Sequence, residues 1–114
     1  MFFLVAINIR EMSDTCHDIK DMRTFGYFSD EPTAWKAAEE NWADMHECLY
    51  NYLLIEELGE GIHPIPKGIR DGSHERWYHW EPNAVPNKSG IGDGNWVRCD
   101  KPEFLKQTIC FALG

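Results

Sequence analysis

The first nine residues, MFFLVAINI, constrain this chain more than any other stretch. Successive side chains of a β-strand point to opposite faces, so a strand with one wet face alternates apolar and polar residues. Here Phe3, Val5, Ile7 and Ile9 form one alternating set, Phe2, Leu4 and Ala6 form the other, and both are apolar. The stretch therefore predicts a central strand covered on both sides. It is too short to span a membrane. It also lacks the basic n-region and small-residue cleavage site of a secretory signal.

The next segment, residues 10–23, is charged and shows no period, so it reads as a long exposed loop or an excursion. Thr24–Phe28 reads as a short strand. Ser29-Asp-Glu-Pro-Thr33 is a helix start, with a Ser or Asp cap and Glu and Pro in the first turn. Trp35, Ala38, Trp42, Met45 and Leu49 recur at helical spacing and predict an amphipathic helix with both tryptophans inward. Tyr50–Glu57 reads as a strand ended by Gly59 and Gly61, and residues 59–75 as a long irregular loop. Residues 76–81 and 95–100 are aromatic-rich strands joined by a turn-rich tip. Asp100-Lys-Pro-Glu103 resembles a capping box, followed by a final helix with Leu105, Thr108, Ile109, Ala112 and Leu113 inward and Phe104 and Phe111 widening the stripe.

The order β-β-α-β-β-β-α is that of an α+β fold, a mostly antiparallel sheet of four or five strands with two helices packed on it. A length of 114 residues predicts a single domain, 1–114. The four cysteines, Cys16, Cys48, Cys99 and Cys110, are scattered. Without a signal sequence they read as free thiols in a soluble, cytoplasmic protein.

No motif announces catalysis or a cofactor. His17, His46, His63, His74 and His79, with the cysteines, show none of the short zinc-ligand spacings, so surface histidines and core cysteines are expected and no metal site. Cys48, Cys99 and Cys110 lie in apolar elements; Cys16, in a polar stretch, is the expected reactive thiol. No nucleophile, base and orienting group stand together. SGIGDG precedes a strand where a phosphate loop would precede a helix, so it reads as a turn.

Charge and aromatics carry the functional expectation. The formal net charge of −8 disfavours phosphate backbones and anionic membranes and suits a protein partner with a basic surface. The acids expected to meet that partner are Glu40, Asp44 and Glu47 on the predicted helix, and Glu56, Glu57 and Glu60 as a second patch. The alternative is a nucleotide-binding, signal-sequestering protein, in which Trp77, Trp80 and Trp96 stack a base and Arg76 and Arg98 meet phosphate. Strand alternation puts Trp77 and His79 on one face and Arg76, Tyr78 and Trp80 on the other, so at least one face is structural. An exposed aromatic strand would also let two copies pair as a homodimer.

Three stretches, GYFSDEPTAWKAAEEN, YNYLLIEELGEGIHP and KPEFLKQTICFALG, carry a resemblance. In them the chain resembles small uncharacterised proteins of Gram-positive bacteria and their phages. That resemblance implies an accessory protein of a phage or mobile element that counters host immunity, in the manner of an anti-CRISPR inhibitor.

Overall fold

The apolar start forms β1, Phe2–Ser13, and the structure surrounds it as its pattern requires. The computed structural model describes residues 1–13, 16–42, 50–59, 74–82 and 94–105. Strand β1 runs antiparallel to β2, Cys16–Phe28, on one side and to β3, Tyr52–Glu57, on the other. Strand β4, Glu75–Pro82, pairs with β3, and β5, Gly94–Cys99, pairs with β4. The sheet order is β2-β1-β3-β4-β5. Hairpin linkage throughout would have placed β3 beside β2. Instead helix α1, Glu31–Glu39, carries the chain past β1 to its far edge.

Residues 10–13 and 16–23 are strand rather than loop. They complete a long two-stranded ribbon with register from Phe2↔Phe28 to Ser13↔Cys16. The register shifts at three places, leaving Phe25, Lys20 and Met12 as extra residues. Each extra residue moves the in–out phase by one position and removes the alternation that would mark a strand.

Both faces of β1 and β3 are buried, and two apolar clusters result. Leu4, Ala6, Leu53 and Ile55 meet Ala34, Ala37 and Ala38 of α1, with Tyr50 and Trp96 alongside. Alanines let the helix axis come close to the sheet. On the opposite face Val5, Ile7, Ile9, Leu54 and Trp77 pack with Leu105.

Helix α1 begins as expected. The Asp30 carboxylate accepts from the Thr33 N–H at 2.8 Å, and the Thr33 side chain first, then this N–H, lower the carboxyl's pKa. Its end differs. Asn41 has φ of 58°, a left-handed turn that asparagine tolerates and that stops a helix. The helix is therefore nine residues long. Trp35 lies half-buried on Tyr78 (4.7 Å between centroids), and Trp42 keeps 44 % of its surface exposed. Met45 and Leu49 lie outside the described residues. Among the described residues α1 is the single α-helix. The start of the expected second helix is a 3-10 turn, Glu103–Leu105, and the rest of that stretch lies outside them.

Two details fix the sheet's ends. The Asn51 amide donates to Ile9 O and accepts from Ile9 N, each at 2.8 Å, extending the β1–β3 ladder with a side chain. A Cβ on Gly94 would lie 2.5 Å from Glu81 O and 2.7 Å from the Trp80 ring, so only glycine lets β5 start there.

Candidate functional site

The expected acidic patches divide once they are placed on the fold. Glu40 is exposed at the end of α1, 3.8 Å from Lys36. Asp44, Glu47 and Glu60 lie outside the described residues. Glu56 and Glu57 are neighbours in β3 but face opposite sides of the sheet. Glu56 is 0 % exposed, so it cannot belong to a surface patch. Glu57 is half-buried, 4.0 Å from the Arg76 guanidinium.

The aromatic trio also divides. Trp77 is 2 % exposed within the Val5–Leu54–Leu105 cluster, edge-on to Tyr52. Trp80 and Trp96 are on the other face, edge-to-face at 5.0 Å. No single base could touch all three indoles, because the sheet stands between them. Arg76 is engaged within the fold, 3.4 Å from Glu31 and over the Phe2 ring. Arg98 is exposed and lies over Tyr78.

The fold does create a hollow where α1 meets the start of β5. Trp35, Glu39, Gly94, Asn95 and Trp96 line it, and it holds about 150 Å³. Pockets for drug-sized ligands run to about 300–1,000 Å³, so this one suits a single side chain rather than a nucleotide. Two indoles make its walls, with a carboxylate and an amide among the polar groups. Aromatic faces and a carboxylate together attract a cation on an apolar stem. Glu39 and Glu40 are both exposed, and Trp42 stays partly in water just past the helix end, edge-on to Phe28 at 6.1 Å.

Glu39, Asn95 and Trp35 are not among the site residues expected from the sequence. Nothing in their spacing ties 35–39 to 94–96; only the crossing of α1 over β5 does. On the opposite face, sequence reading took Glu56 for a surface acid and put His74 and Glu75 in a loop. The structure buries all three together. Their one legible signal was an acid at an inward position of the apolar strand YLLIEE.

Among the thiols, Cys99 is half-buried on β5, and burial first, then Asp100, pushes its pKa up against the opposing pull of Arg98. Among the described residues no helix is long and apolar enough to cross a membrane. Comparison with known proteins gives no match: no family model fits the chain, and no curated protein or solved structure matches it.

Proposed function

We propose that this chain is a small acidic binding protein that docks, without chemistry, on a protein partner with a basic surface. The observation that carries the reading is the hollow at the end of α1. Its two indoles and Glu39 form a receptor for one lysine or arginine side chain, and the exposed Glu40 follows Glu39 in the chain. The net charge of −8 supports it, since an anionic body is steered toward a cationic target and away from nucleic acid. A basic nucleic-acid channel on a bacterial defence protein is a target of this kind, in keeping with the phage-type setting that the resemblance implies.

The nucleotide-sequestering alternative has less support. It needs Trp77, Trp80 and Trp96 on one side, and Trp77 is buried on the other.

Titration of tryptophan fluorescence with arginine- and lysine-containing peptides tests the reading. Binding is expected to weaken steeply with salt and to fall about tenfold in a Glu39→Gln, Glu40→Gln variant, as for loss of a charged contact of about 1.4 kcal/mol. Equal binding by the variant would exclude this face. A response to nucleotides that is absent with basic peptides would move the reading to sequestration.

A further inference from the structure

Under the sheet face opposite α1 lies a polar group that the basic-partner reading does not use. Glu56 on β3 and Glu75 on β4 are direct cross-strand partners on this face. Both are buried. Like charges directly opposite one another in a sheet repel, and a low-dielectric interior magnifies the repulsion. Lys101 reaches into the group, its Nζ lying 2.9 Å from one Glu75 carboxylate oxygen and 3.0 Å from the other. The Trp77 indole N–H also points at Glu75, at 3.5 Å.

His74 is the second, independent observation. Its side chain is 2 % exposed, and neither ring nitrogen has a hydrogen-bond partner among the described residues. A buried imidazole without partners is costly. The ring is aimed at the acids: Nε2 is 3.7 Å from Glu75 Oε2, too long for a hydrogen bond. One ligand atom from each of Glu56, His74 and Glu75 can be chosen so that all lie within 4.8 Å of one another.

We propose that Glu56, His74 and Glu75 are the ligands of one divalent transition-metal ion. An imidazole with two carboxylates is a donor set for Zn²⁺ or a neighbouring ion such as Mn²⁺ or Fe²⁺. Ligand atoms about 2.0–2.2 Å from a tetrahedral metal stand roughly 3.3–3.6 Å apart. The Nε2–Oε2 separation of 3.7 Å is already near that. The widest separation needs about 1 Å of side-chain closure. The ion joins β3 to β4 and gives the imidazole its missing partner. Lys101 then holds the outer side of Glu75, as second-shell groups orient metal-bound carboxylates.

The test starts from EDTA-stripped protein under reducing conditions, titrated calorimetrically with Zn²⁺ and spectroscopically with Co²⁺. One equivalent of metal is expected to bind, with a Co²⁺ spectrum lacking the sulfur-to-metal charge-transfer band that cysteine ligands would give. The unfolding temperature is expected to rise by roughly 10 °C at metal concentrations about 100 times Kd. His74→Gln and Glu56→Gln are expected to weaken binding by about 100-fold or more, while His79→Gln leaves it unchanged. Should either ligand variant fail to fold, the shift of the His74 imidazole resonances on adding Zn²⁺ to unaltered protein gives the same answer. Absence of uptake, a sulfur band, His74 resonances that do not move, or His74→Gln binding as tightly as the unaltered chain would overturn the site.

Discussion

The two faces of the sheet are built from the same five strands, yet they solve different problems. The face under α1 is sealed by three alanines and ringed by stacked aromatics, and its charged groups, Glu57 and Arg76, sit at the margin with partial access to water. The opposite face holds larger aliphatics, with Glu56, His74, Glu75 and the Lys101 ammonium drawn in at one end. Glu56 and Glu57 show the difference at its sharpest. A single step along β3 takes a carboxylate from a partly wet ion pair to a sealed interior. Position in the alternation, rather than residue type, decides what an acid does here.

The greatest loss of stability is expected where the buried charges lie. Lys101→Met leaves the Glu75 carboxylate buried beside Glu56, and urea unfolding is expected to show a loss of about 3–5 kcal/mol, the usual consequence of removing one partner from a buried pair. Glu57→Gln on the other face is expected to cost under about 1 kcal/mol, as exposed or half-exposed pairs do. Equal losses would mean that the faces do not differ electrostatically.

A smaller effect is expected from overpacking the helix face. Ala38→Leu must push α1 away from Leu53 and Ile55, and about 1–3 kcal/mol of stability is expected to be lost. The same change also moves α1 relative to β5, so it should reshape the hollow and weaken basic-peptide binding. A stability loss with unchanged peptide binding would separate the hollow from the helix position.

The smallest effect is a pH limb. Burial raises both the Cys99 thiol, ordinarily 9.0, and the Tyr52 phenol, ordinarily 10.0. The folded chain keeps protons there that the unfolded chain releases. The corresponding stability is full below the unfolded values and is lost as pH rises through the folded ones. Thermal melts are therefore expected to decline above about pH 9, and Cys99 should react with a disulfide reagent more slowly in the folded chain than in urea. A Cys99 rate equal to that in urea would show that burial does not govern this thiol.

What the sequence made legible was what depends on neighbours in the chain. Two apolar sets in residues 2–9 required a central strand, and the Asp30 cap and Pro32 marked the start of α1. The β2 ribbon was hidden by its own bulges, since three phase shifts leave no period to detect. The helix seemed longer than it is because an apolar stripe continues past Asn41, whereas its end is set by one backbone torsion. Neither candidate site could be assembled from the sequence, although an acid at an inward position of YLLIEE hinted at one. Glu56 meets Glu75 through strand register, and Trp35 meets Trp96 through helix crossing, and both are long-range choices made by the whole core.

The sheet order also sets a sequence of events in time. β1 and β2 are consecutive and can close as a ribbon on the microsecond scale of hairpins. β3 cannot join them until the α1 crossover has brought it to the far side of β1, and β4 and β5 have no central strand to build on until β3 is in place. The slow step of folding is thus expected to be the docking of β3 with its helix, with the N-terminal ribbon as a template waiting for it.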